Sequence, residues 1–265
     1  MNRSSTFMPP ITVGSLDDLQ RAHLFYDELQ RGHFCLAFQA VVATHDPERI
    51  LYRESLLRHE NGGLGFNPFP LLERLHVIRP LDHRVLNTMI GLLQAHPGLT
   101  LGCNISALST IMDKDWDSTL EVLAGDQSVA RRLVVEITES TVPPCHNSAV
   151  ELVTHLRNSG CQVAVDDFGS GFGTLSFIQQ SQPDIIKIDQ SYIQRARTNA
   201  QGELTLKYLL ELCKTLAPCV IVEGIETPED LQRAQSLGSE WLQGYLFGRP
   251  GFALADLPGI QRVSA

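Results

Sequence analysis

The sequence predicts an α/β fold, a modified TIM (β/α)8 barrel with an antiparallel first strand, on three observations. Short apolar runs alternate with amphipathic helical stretches through most of the 265 residues, which is the pattern of a parallel sheet with helical crossovers. Eight such runs occur, and eight strands close a barrel in a chain of this length. The first two runs have no helical stretch between them, so they read as a hairpin and make one pair antiparallel.

The elements follow in order. Residues 1–14 read as a flexible lead without the apolar core of a signal peptide, and 15–265 as one barrel domain. Ser15 is a helix cap for Leu16–Gln30, with Gly32 near the stop. The predicted strands are Phe34–Ala43, Ile50–Arg58, Leu99–Ile105, Leu133–Thr138, Gln162–Asp166, Ile185–Asp189, Val220–Glu223 and Trp241–Phe247. His45-Asp46-Pro47 supplies the hairpin turn. Helical spacing is expected over Leu81–Leu93, Ser148–Asn158, Glu203–Leu216 and Pro228–Ser236.

Composition narrows the function. A net charge of -9, with no basic patch, argues against a duplex nucleic-acid binder. An anionic substrate then needs metal ions or a few local Arg and Lys side chains. No stretch is long and apolar enough for a membrane segment. The six cysteines have no CxxC spacing, so neither a zinc site nor a redox motif is signalled, and free thiols suit a reducing, cytoplasmic location.

The polar residues collect where strands end, which is where barrel enzymes build their sites. In order these are Glu54 with Arg58, Asn104, Glu136 with Glu139, Asp166-Asp167, Lys187 with Asp189, Glu223 with Glu226, and Gln243. A lone Glu at a strand end reads as a cap or ion-pair partner, and Glu139 and Glu226 are read that way. His59, His76 and His83 read as loop or helix residues, and Trp116 and Trp241 as packing residues. Such readings fail jointly across seven successive strand ends. Glu54, Asn104, Glu136, Asp166 and Asp167 are oxygen ligands that suit Mg²⁺ or Mn²⁺, with Asp166 the natural bridge between two ions. Adjacent residues of a regular strand face opposite ways. Asp166-Asp167 therefore implies either a local cap or a strand that ends there with both carboxylates turned into one site. Lys187 stands in an apolar run and needs an anion, which Asp189 offers by period two. It can stabilise charge at phosphorus, and Glu223 can take a proton or bind the second ion.

The ordered series ESLLR, NIS, EITES, DDFGSGFGTL, KID, VEGIET and QGYLFGRP closely resembles the EAL domain, over about Leu24 to Pro250. That family comprises phosphodiesterases that cleave cyclic di-GMP to linear pGpG, lowering a bacterial second messenger of biofilm and motility signalling. The resemblance implies a barrel with an antiparallel first strand and two divalent cations, Mg²⁺ or Mn²⁺, with Ca²⁺ inhibitory. It implies metal ligation by Glu54, Asn104, Glu136, Asp166 and Asp167, catalytic roles for Glu54, Lys187 and Glu223, and substrate contacts by Gln39, Arg58, Asp189 and Gln243. Glu139 matches a residue that orders the loop after the fifth strand, and a homodimer is implied near that loop. Ser55, Ala40 and Gly173 depart from the family pattern. The alternatives are a catalytically weak cyclic di-GMP receptor and an enolase-like barrel using Lys187 as base.

Overall fold

The computed structural model describes residues 15–60, 62–138, 141–171 and 175–252. The expected lead, Glu139 and Gly173 lie outside these. Eight strands close a barrel in sequence order: β1 (Phe34–Ala43), β2 (Asp46–His59), β3 (Leu101–Ser106), β4 (Leu133–Thr138), β5 (Gln162–Phe168), β6 (Ile185–Ile188), β7 (Cys219–Val222) and β8 (Trp241–Gln243). Around them lie α1 (Leu16–Gln30), α2 (Pro68–Arg74), α3 (Arg79–Ala95), α4 (Lys114–Gly125), α5 (Gln127–Ala130), α6 (His146–Asn158), α7 (Leu175–Ser181), α8 (Gln190–Ala196), α9 (Ala200–Leu216) and α10 (Pro228–Ser236). Among the described residues no helix is long and apolar enough to cross a membrane.

Local chemistry sets the helix starts. Ser15 accepts from the Asp18 amide while Asp18 reaches back, a reciprocal capping box, and Thr227 with Asp230 does the same for α10 behind Pro228. The buried Asp230 also takes a two-pronged hydrogen bond from Arg197, at 2.9 Å to each oxygen.

Strand alternation splits the core in two. Phe34, Leu36, Phe38, Ile186 and Ile188 face the helices in the large outer core. Val41, Tyr52, Val134, Ala164, Ile185 and Ile221 fill the barrel interior. Each fully buried side chain of this size contributes roughly 1.5–3 kcal/mol. In β6, Ile185 and Lys187 share the inward face, so Lys187 stands in the barrel just beyond the apolar interior layer.

Four expectations need correction. β1 is antiparallel to both neighbours, β2 and β8, rather than in one pair alone. One reversed strand in an otherwise parallel closed sheet must have two antiparallel borders. The hairpin turns at Thr44 and His45, and Asp46-Pro47 already belongs to β2. The last strand stops at Gln243, and Tyr245–Phe247 is a single 3₁₀ turn. Finally, β5 continues to Phe168 through a bulge. Val165 pairs Ile186 and Phe168 pairs Ile188, so Asp166 and Asp167 together oppose Lys187 alone. Asp167 has φ of 56°, a left-handed conformation that Asp tolerates better than most residues.

Gly102 of β3 leaves the room that Tyr52 and Glu136 occupy: a Cβ there would lie 2.6 Å from the Tyr52 ring and closer still to the Glu136 carboxylate. Gly102→Ala is therefore expected to destabilise the fold by about 1–3 kcal/mol in denaturant titration. A change below about 0.5 kcal/mol would show that this interior layer is loosely packed.

Candidate active site

The strands bring most of the expected residues to one end of the barrel. Gln39 and Glu54 are register partners across the hairpin, Asn104 partners Glu136, and Thr138 partners Asp166. Lys187 is 0% exposed and its Nζ lies 3.1 Å from Glu54, 2.7 Å from Glu136, 2.8 Å from Asp166 and 3.0 Å from Glu223. Burial opposes the ammonium, yet Asp166, Glu136, Glu223 and Glu54 outweigh it and hold its pKa well above the ordinary lysine value. Glu54 is tied further by Asn104 Nδ2 and Gln243 Nε2, each donating at 2.6 Å. Burial pushes the Glu54 pKa upward, but Lys187 and these two amides prevail and lower it.

The other carboxyls go the opposite way. Burial raises Glu136 and Glu223 well above the usual range and raises Asp166, in each case against the pull of Lys187. Burial, with Asp166 alongside, pushes Asp167 up to about 7. Lys187 satisfies the carboxyls only in part. With Glu54, Glu136, Asp166, Asp167 and Glu223 ionised, one ammonium leaves four negative charges uncompensated, the charge of two divalent cations.

The donor atoms fit that pair of ions. Oxygens of Glu54, Glu136 and Asp166 lie within 4.8 Å of one another, as do those of Asp166, Asp167 and Glu223, so Asp166 belongs to both groups. Asn104 Oδ1, Gln243 Oε1 and Glu136 Oε1 are buried without a hydrogen-bond partner, so the protein supplies oxygen atoms there that a cation could satisfy. An all-oxygen set favours Mg²⁺ or Mn²⁺ over softer metals.

This cluster opens into a cavity of about 510 Å³, lined by Glu54, Asn104, Asp166, Asp167, Glu223 and Gln243 at its base, with Gln39 and Arg58 on the β1–β2 side. Gln39 donates to the Gly248 carbonyl at 3.2 Å. Ser55, one of the departures, gives its hydroxyl to the Gly102 carbonyl at 2.7 Å and so points away from the charged cluster.

Asp189 is placed differently. It caps α8 by accepting from the Ser191 amide at 3.0 Å, and it is not among the ion-pair partners found for Lys187. It stands close enough to Asp167 to help raise that carboxyl. Glu226 pairs with Arg197 at 3.0 Å, while Thr227 supplies the cap of α10. Trp116 is buried, its indole donating to Ser109. Sequence reasoning missed a second polar wall: Ser106 gives its hydroxyl to Glu73 at 2.6 Å and its amide to Asp82 at 2.9 Å, and all three line the cavity. Asn67 followed by Pro68 was the readable signal of the helix that carries Glu73.

A family model described as the EAL domain matches residues 17–250. The chain belongs to the EAL domain family. The cyclic di-GMP phosphodiesterase PdeF of Escherichia coli is 27% identical over 95% of this chain and 34% of its own length. The probable cyclic di-GMP phosphodiesterase PdeG of the same species is 31% identical over 68% of this chain and 37% of its own. Among solved structures, the PaMucR phosphodiesterase of Pseudomonas aeruginosa in its c-di-GMP complex matches with a TM-score of 0.74 at 27% identity, over 90% of this chain and 100% of that one. This EAL chain spans between 22% and 37% of the length of four curated relatives it matches.

Cation binding here is expected to depend on pH, because a cation competes with the protons that burial favours on Asp167 and, more strongly, on Glu223 beside it. An unfolded Asp titrates near 4, so the ion-free fold loses stability as pH rises from about 4 through about 7, and cations restore it. Calorimetric titration with Mn²⁺ is expected to give two ions per chain, reduced to one by Asp167→Asn. The affinity of that second ion should fall as pH drops through about 7, where Asp167 gains its proton. Equal affinity at pH 5.5 and 8 would contradict this placement of Asp167.

Proposed function

We propose that this chain is a metal-dependent phosphodiesterase that opens cyclic di-GMP to linear pGpG. The observation that carries this reading is the Asp166-Asp167 bulge, which joins two oxygen-ligand groups around Lys187 at the base of a cavity. Divalent ions held there would supply a water of lowered pKa and neutralise charge developing at phosphorus.

The chain's own residues do the rest. Asn104 and Gln243 fix the carboxylate of Glu54. Lys187, held charged by its four neighbours, places a fixed positive charge at the centre of the carboxylate cluster, where it stabilises negative charge developing at phosphorus. Glu223, with its raised pKa, accepts the proton of the attacking water. Gln39 and Arg58 hold the dinucleotide from the β1–β2 side, with the Arg58 guanidinium facing phosphate. Asp189 acts through Asp167 and the start of α8, and Glu139 orders the segment after β5. Mg²⁺ or Mn²⁺ serves as cofactor. Ca²⁺ would compete for the same carboxylate oxygens without supplying the same activation of water, and so would inhibit. An acidic chain of this kind acts on a small dinucleotide in the cytoplasm, not on duplex nucleic acid, and pairs as a homodimer near the segment after β5.

Incubation of the purified chain with cyclic di-GMP and Mg²⁺ or Mn²⁺ is expected to release pGpG, and Ca²⁺ to suppress it. Lys187→Ala should lower kcat by on the order of 100- to 1,000-fold with a smaller effect on KM, since the ammonium serves the transition state. Tight binding without pGpG would mark a receptor and overturn the reading. Failure to bind any cyclic dinucleotide would overturn it in favour of another metal-dependent barrel chemistry.

A further inference from the structure

A different kind of donor set lies on the outer side of the β1–β2 hairpin. Glu28 near the end of α1, His33 in the following turn and His59 at the end of β2 place one ligand atom each within 4.8 Å of the others. The Glu28 Oε2 atom is shared: His33 Nδ1 lies 2.6 Å away and His59 Nε2 3.3 Å away. His59 is held edge-on to Phe34, its register partner, with ring centroids 5.1 Å apart. We propose that Glu28, His33 and His59 bind one transition-metal ion of the zinc class, independently of the carboxylate centre.

The donor chemistry separates the two sites. Two imidazoles and one carboxylate suit Zn²⁺ and its neighbours in the first transition row, whereas Mg²⁺ favours oxygen alone. Three protein ligands leave a fourth tetrahedral position for water. Bonds of about 2.0–2.2 Å place tetrahedral ligand atoms roughly 3.3–3.5 Å apart. The His59–Glu28 spacing already meets that value. The His33–Glu28 contact must open by less than about 1 Å as the ion takes the place of the shared proton.

Mobility and orientation are distributed to suit this. The His33 side chain is 38% exposed, which gives both an entry path and freedom to shift, while His59 is 8% exposed and fixed. The second oxygen of Glu28 takes Arg31 at 3.1 Å, which orients the carboxylate from outside. The hydrogen bonds from His33 and His59 hold Glu28 below its ordinary pKa, so the carboxylate is ionised and ready to ligate. In the other histidine cluster, His83 with Asp113 and Asp115, both Asp113 oxygens are already engaged, one by Arg79 and the other by the Asp115 and Trp116 amides that it caps, whereas Glu28 Oε2 faces only the two imidazoles. A bound ion would clamp the end of α1 and the turn before β1 to the end of β2, one residue beyond Arg58.

The test is calorimetric titration of Zn²⁺ into the full chain in excess Mg²⁺, repeated with Co²⁺ to read the visible absorption of tetrahedral coordination. Wild-type protein should bind one equivalent at this site with the tetrahedral spectrum. His33→Ala and Glu28→Gln lie at the surface of the cluster and spare the His59–Phe34 packing. Each should weaken that equivalent by on the order of 100-fold and abolish the spectrum, while phosphodiester turnover with Mg²⁺ is unchanged. Zinc bound with the same stoichiometry and affinity in His33→Ala as in wild type would overturn the proposal, as would absence of the tetrahedral cobalt spectrum in wild type.

Discussion

Burial of the Lys187 ammonium inside the barrel is the constraint on which the site depends. An unpaired ammonium there would lose its proton, because desolvation of a lone charge costs several kcal/mol. Four carboxylates within 3.1 Å prevent that. Burial first, and repulsion among the same groups second, then raise the pKa values of Glu136, Asp166 and Glu223 against the pull of the one cation. The cluster is therefore short of positive charge, and that shortage is what gives an acidic protein a site suited to divalent cations.

The barrel supplies the geometry. Glu54, Asn104, Glu136 and Asp166 occupy strand positions above a shared apolar layer, and Glu223 follows the end of β7 by one residue, so the cluster is carried almost entirely by strand backbone. The bulge in β5 is the exception that the chemistry requires. A regular strand would send Asp166 and Asp167 to opposite faces; two residues opposing Lys187 bring both carboxylates to the cavity. Tyr192 then braces the strand exit, its hydroxyl donating to the Gly169 carbonyl at 3.1 Å. A side chain at Gly169, where φ is 89°, would collide with that ring.

Much of this arrangement was legible in the sequence, because it follows from period and position. The strand ends carried their polar residues in register with the barrel rule, and α1, β1, β4 and α10 begin and end where the expected caps and apolar runs place them. The short helices α2, α5, α7 and α8 escaped, since four to seven residues show too little periodicity to distinguish from loop. The bulge escaped because register is a property of two strands and not of one. Asp189 was drawn towards Lys187 by period two, but β6 ends at Ile188 and the alternation ends with it. The Ser106–Glu73–Asp82 wall joins residues from three elements, and nothing in their spacing announces the contact.

If Asp166 is the shared ligand of two ions, Lys187 stays in place as a fixed charge beside them. Crystals of the chain grown with Mn²⁺, and an anomalous difference map at the manganese edge, test it most directly. The predicted result is two peaks about 3.5–4 Å apart on either side of the Asp166 carboxylate, with Lys187 Nζ still hydrogen-bonded within the cluster. A single peak at the position now held by Lys187 Nζ, with that side chain displaced, would contradict it.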